Sequence, residues 1–137
     1  MTDSHHFREL EFLSLIENLN LVESMVEQLK TEFNFSEEME ANILVSLSEA
    51  VNNAIIHGNN SEEQKKVRIL FDYGENEMTF IVEDEGVGFS PDLVKDPTAL
   101  ENLDKPTGRG IFLMRNLADR LEYLEGGRKV VISFVRN

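Results

Sequence analysis

None of the 137 residues is a cysteine. That absence excludes a disulfide framework, thiolate metal sites and thiol catalysis, so the fold rests on packing alone, as suits a reducing compartment. Long hydrophobic runs are missing too. No stretch reaches the roughly 18 apolar residues that cross a bilayer, and the opening "MTDSHHFREL" lacks the basic and apolar regions of a signal peptide. A cytoplasmic chain without membrane contact is expected. Basic residues are scarce: 13 Lys and Arg stand against 26 Asp and Glu, giving a formal charge of -13 that repels nucleic acid and anionic lipid. The same field disfavours polyphosphates, so a nucleotide binds only where local amides, a cation or a metal reverse the sign. One domain, residues 1–137, is the expectation at this length. Such a chain buries roughly two-thirds of its unfolded surface in a single core.

Most of the chain is periodic. Residues 9–16, "ELEFLSLI", alternate loosely and suggest a first strand, although Glu and Leu are poor strand formers. From Leu21 the period changes. Leu21, Met25, Leu29 and Phe33, with Val22 and Val26 beside them, make the apolar stripe of a helix that Asn18 or Asn20 caps and that ends near "EFNF". Ser36 is placed to cap a second helix, with Glu37 and Glu38 in the first turn, where the dipole favours negative charge, and Gly58 to stop it. Ile43, Leu44, Leu47, Ala50, Val51, Ala54 and Ile55 form its buried face. "VRILFDY" and "MTFIVED", joined by "GENE", read as a hairpin. "GIFLMRNLADRL", from about Gly110, reads as a third helix, and "LEYLEGGRKVVISFV" as two strands joined at Gly126 and Gly127. His5 and His6 fall in a floppy terminus. This order suits an α/β (α+β) two-layer sandwich, a mixed, mostly antiparallel sheet with helices packed on one face.

Three polar interruptions stand out. In "EAVNNAIIHGN", Glu49 and Asn53 are one turn apart and stack on one helix face, with Asn52 adjacent and His57 a further turn along. A solvated strip on an amphipathic helix gives the same pattern, and His57 suits a helix end satisfied by backbone carbonyls. In "VEDEGVGF" a strand runs into Asp84, Gly86 and Gly88, and glycines there let a flat ligand approach the backbone. An ordinary glycine turn does the same. In "KPTGRGIFLM", Gly108 and Gly110 precede a helix whose free amides can hold an anion, with Lys105 and Arg109 nearby as the positive counterweight. Residues 89–107 are longer than a connector needs, which suits a lid over phosphates or a disordered acidic loop.

Together and in this order, these segments resemble the GHKL ATPase superfamily, the Bergerat ATP-binding fold, and within it the bacterial anti-sigma factor serine/threonine-protein kinases. "EAVNNAIIHG" looks like the N box, "DEGVG" the first glycine box and "TGRGIFLM" the second. The resemblance runs from about Ser36 to the C-terminus. It implies that Asn53 coordinates magnesium, that Glu49 is the general base and that Asp84 holds the adenine amino group. It also implies nucleotide contacts from Gly86, Gly88, Lys105, Thr107, Gly108, Arg109, Gly110 and Ile111, with ATP and Mg2+ as cofactors and the lid at about 89–107. A carboxamide ligand is consistent with magnesium's habit of taking only one or two protein oxygens. A carboxylate one turn away can accept the proton of an attacking hydroxyl.

The function so implied is a histidine-kinase-like ATPase domain acting as a protein serine/threonine kinase. It transfers the ATP γ-phosphate to a serine of a STAS-type anti-sigma factor antagonist and sequesters a sigma factor. At this length the chain is expected to resemble the kinases more than gyrase-like relatives, which need transducer domains, or sensor kinases, which need dimerising helices. A homodimer is expected from the resemblance and from the commonness of two-fold dimers. Two other readings share the same fold: a non-catalytic protein-binding module gated by ATP, and ATP hydrolysis without a protein substrate.

Overall fold

A computed structural model of the chain describes residues 6–86 and 117–136. In chain order the elements are β1 (Phe7–Leu13), a 3-10 turn (Ile16–Asn18), α1 (Leu19–Phe33), α2 (Glu37–Asn53), a π turn (Ala54–Gly58), β2 (Lys66–Tyr73), β3 (Glu77–Asp84), β4 (Arg120–Leu124), a 3-10 turn (Glu125–Gly127) and β5 (Lys129–Val135). The five described strands form one sheet in the order β1-β2-β3-β5-β4, antiparallel throughout. Both helices pack on one face of it, as the order of elements implies.

Strand alternation divides the sheet into two chemically different faces. Phe12 of β1, Val67, Ile69 and Phe71 of β2, Met78, Phe80 and Val82 of β3, and Val130, Ile132 and Phe134 of β5 all point toward the helices and are buried. Val22, Met25, Val26 and Leu29 of α1 meet them, as do Ile43, Leu47, Ala50 and Val51 of α2. Each fully buried side chain of this size contributes about 1.5–3 kcal/mol. Asp84 is the last residue of the inward row of β3, where an apolar side chain would continue the pattern.

The outer face is held by charge. Glu9 meets Arg68 at 3.4 Å, Arg68 meets Glu83 at 2.6 Å, Glu83 meets Lys129 at 3.0 Å, and Lys129 meets Glu125 at 3.2 Å, so one ladder runs from β1 across β2 and β3 to β5. Arg68 and Glu83 stand directly opposite, as do Glu83 and Lys129. Cross-strand pairs of opposite charge stabilise a sheet whose outer face no described helix covers.

Several boundaries differ from the sequence expectation. β1 begins and ends earlier than residues 9–16, because Ser14 N–H turns to Lys65 O and the chain then enters the 3-10 turn. Helix α1 starts at Leu19. Leu21 is exposed, and the buried stripe runs instead through Val22, Met25, Val26 and Leu29. Asn18 occupies the N-cap position but makes no capping bond; its Nδ2 donates to Leu13 O at 2.8 Å. Ser36 does cap α2, its Oγ accepting from Met39 N–H at 3.0 Å. The helical pattern read across "LADRL" stops earlier, since Arg120 and Leu121 already belong to β4 and pair with Ser133 and Ile132. The His6 ring packs edge-on against Phe33 and Tyr73, with centroids 5.9 and 5.7 Å apart, and His5 lies outside the described residues. The start of the third helix at Gly110 lies outside the described residues.

Burial pushes the Glu83 carboxyl upward, but hydrogen bonds and charge from Lys129 and Arg68 outweigh it and hold the group below the usual carboxylate range. A depressed folded value contributes stability above the unfolded value and loses it as pH falls through the folded one. Glu83→Gln should therefore lower stability at neutral pH by about 1 kcal/mol, as expected for half-exposed pairs. The difference from the parent should shrink in high salt and vanish in acid. Urea unfolding at neutral and acidic pH, with and without added salt, measures this.

Candidate functional site

Helix α2 carries its polar residues where its apolar face should continue. Asn53 is 3 % exposed, and among the described residues neither its Oδ1 nor its Nδ2 has a hydrogen-bond partner. A buried carboxamide left unpaired costs about 1–3 kcal/mol, so the state of Asn53 within the described residues calls for a physical reason. Glu49, one turn earlier, is half-buried, and burial raises its carboxyl above the ordinary value. Asn52 is half-buried beside them and His57 is exposed.

The helix does not end at a left-handed glycine. It widens into the π turn Ala54–Gly58, and Gly58 has an ordinary negative φ. Gly58 is needed for space instead. A Cβ there would overlap the Asp84 carboxylate, and a Cβ on Gly86 would overlap the Gly58 carbonyl. The ends of α2 and β3 therefore close backbone against backbone, and glycine is the residue both positions admit. Asp84 Oδ1 accepts from Gly86 N–H at 2.9 Å, and Asp84 N–H donates to Arg128 O at 3.0 Å. Burial pushes the Asp84 carboxyl up by more than the Gly86 amide, Arg128 and Lys65 pull it down.

Asn53 and Asp84 come together. Both line one cavity of about 10 Å³, bounded also by Ala54, Val82, Tyr123 and Gly127. It has room for about one water. A carboxamide from the helix and a carboxylate from the strand thus share one corner, with Glu49 a turn back along α2. Among the described residues no three His, Cys, Asp or Glu side chains cluster as a metal cage. An amide oxygen such as Asn53 Oδ1 is a ligand of the kind magnesium accepts, since that ion takes few protein oxygens.

Gly88, Lys105, Thr107, Gly108, Arg109, Gly110 and Ile111, with the expected lid at about 89–107, lie outside the described residues. One residue of this corner had no role in the sequence reading: Asn59, fully buried, ties the helix end to three strand termini. A polar residue in the "GNNSEE" turn gives no sign in the sequence that it is buried.

Residues 12–134 match the histidine kinase-like ATPase domain family. The chain belongs to this family. An anti-sigma F factor of Clostridium perfringens is 32% identical over 129 residues, covering 90% of this chain and 91% of that protein. One from Shouchella clausii is 31% identical over 118 residues, covering 84% and 80%. The serine-protein kinase RsbW of Oceanobacillus iheyensis is 30% identical over 91 residues, covering 62% and 58%. These relatives place the chain in the GHKL anti-sigma kinase group of the ATPase family. A crystal structure of the RsbU and RsbW domains of a Mycobacterium tuberculosis protein has the same fold, with a TM-score of 0.63 at 12% identity, covering 96% of this chain and 32% of that one. Among the described residues no helix is long and apolar enough to cross a membrane.

Asn53→Ala removes an amide that makes no hydrogen bond among the described residues, so its relief of about 1–3 kcal/mol should roughly offset the small cavity created. Melting temperature should stay nearly unchanged while affinity for magnesium–ATP falls at least tenfold, that is by about 1.4 kcal/mol or more. Calorimetric titration and a melting curve on the same sample check both parts.

Proposed function

We propose that the chain is an ATP-dependent protein serine/threonine kinase of the anti-sigma type, working as a single ATPase domain. It sequesters a sigma factor and transfers the ATP γ-phosphate to a serine of a STAS-type antagonist, as a cytoplasmic homodimer. The observation that carries this reading is the pairing on one helix of a half-buried carboxylate, Glu49, with a buried carboxamide, Asn53, that has no partner among the described residues. The family match and the names of the relatives agree with it.

Each residue then has a task. Asp84 accepts a hydrogen bond from the adenine amino group and so selects the base. Asn53 Oδ1 offers an oxygen ligand to magnesium, which when bound neutralises charge on the transferred phosphoryl group. Glu49, its carboxyl raised by burial, takes the proton of the attacking serine. The serine Oγ bonds to the γ-phosphorus as the bond to the β–γ bridging oxygen breaks, ADP leaves with that electron pair, and the hydroxyl proton passes to Glu49. A partner protein supplies the serine.

Incubation with labelled ATP, magnesium and candidate STAS proteins tests the assignment, with label expected on a serine of one of them. ATP binding without label transfer to any candidate would leave an ATP-gated binding module, and phosphate release without a partner would leave hydrolysis. Glu49→Gln should retain ATP binding and lose transfer by roughly two to four orders of magnitude, the usual share of a general base. Transfer by the parent should rise as pH climbs through the raised Glu49 value, and the variant should lack that rise. A folded value raised by burial costs stability once pH passes the unfolded value, so the same variant should melt no lower than the parent at neutral pH, and preferably higher. Rates across pH with a melting curve of each protein measure both.

A further inference from the structure

Asn59 follows the helix end and is 0 % exposed. Its hydrogen-bonding groups are all engaged. The main-chain N–H donates to Ala54 O at 2.7 Å, and the carbonyl accepts from Glu62 N–H at 3.0 Å. Nδ2 donates to Ser14 Oγ at 2.6 Å, just past β1, and to Lys66 O at 2.9 Å, at the start of β2. Oδ1 accepts from Glu85 N–H at 2.7 Å, at the exit of β3.

The set dictates the residue. Lys66 O can only accept and Glu85 N–H can only donate, so a carboxamide in one orientation satisfies both. Aspartate would turn a second acceptor toward Lys66 O, and an apolar side chain would leave buried partners unpaired. Lys66 closes the ring from the other side, its N–H donating to Glu85 Oε1 at 2.8 Å.

We propose that Asn59 is a positioning residue for base recognition, holding the β3 exit so that the Asp84 carboxylate faces the adenine amino group. The Glu85 N–H that Asn59 holds and the Gly86 N–H that Asp84 Oδ1 accepts belong to successive peptides. Fixing the first fixes the second. Gly86 also rests on the Gly58 carbonyl, one residue before Asn59, so the same side chain keeps the helix end and the strand exit in contact. Without it the Glu85 peptide has no acceptor on the helix side, Gly86 can lift from Gly58, and Asp84 loses its fixed rotamer.

This inference rests on the reading of Asp84 as the group that selects adenine, and the test separates the two. Magnesium–ATP and magnesium–GTP are titrated calorimetrically into the parent chain, Asn59→Ala and Asp84→Ala. The preference for ATP over GTP should narrow about tenfold in Asn59→Ala, the worth of one well-placed hydrogen bond, with GTP affinity unchanged. A merely structural role would weaken both nucleotides alike and leave their ratio intact. If Asp84→Ala narrows the ratio and Asn59→Ala does not, the positioning role is overturned while the reading of Asp84 stands. If Asp84→Ala leaves the ratio unchanged, that reading fails and the role of Asn59 falls with it. Should Asn59→Ala not fold, amide hydrogen exchange on the parent chain without nucleotide decides. Protection of Glu85 N–H equal to that of the interior of β3 supports the anchor, and exchange at the rate of an open loop overturns it.

Discussion

The contact between the end of α2 and the end of β3 governs this structure's chemistry. Gly86 meets the Gly58 carbonyl backbone against backbone there, and the Asp84 carboxylate fills the space beside Gly58. Any other residue at either position needs space that is already filled. Closing that corner brings a helix residue and a strand residue to one cavity, which neither element could line alone. The rest of the fold serves the approach. The apolar rows of β2, β3 and β5 seat α2 on the sheet, and the outer ladder of ion pairs holds the strands in register.

Polar groups at core positions are costly, and two interrupt apolar rows in this corner. Asn53 sits on the face that buries Ile43, Leu47, Ala50 and Val51, and Asp84 ends the row of Met78, Phe80 and Val82. Burial raises Asp84 as it raises Glu49, so the folded chain disfavours the charge these carboxylates carry at neutral pH. Elsewhere the molecule satisfies its buried carboxamides, as Asn59 shows. Among the described residues Asn53 has no side-chain partner while Asn59 is fully bonded, and the proposed function accounts for the contrast by giving the first to a ligand and the second to the fold.

How much of this the sequence discloses depends on the kind of signal. Periodicity marked both helices and four of the strands, because β-branched and aromatic runs such as "VRILFDY" have one reading. β1 was placed two residues late, since Glu and Leu alternate weakly and the stop is set by a tertiary bond between Ser14 and Lys65. Leu21 looked like core from spacing alone, yet the helix starts earlier and the stripe rotates past it. The sequence pattern named Glu49, Asn53 and Asp84 as polar interruptions, and the structure puts the latter two in one cavity. Gly58 has the position of a helix stop in the sequence, whereas the opposing strand shows that it provides room for the Asp84 carboxylate. Asn59 carried no signal: its partners lie 45, 7 and 26 residues away, beyond any local pattern.

The central claim is that this corner holds one adenine nucleotide together with magnesium. Titration calorimetry of ATP into the chain, repeated after chelation of the divalent ion, tests it most directly. The account predicts a saturable heat at one site per chain that weakens markedly without magnesium. No heat and no rise in melting temperature at millimolar ATP with excess magnesium, on the order of the weakest affinities worth calling specific, would contradict it.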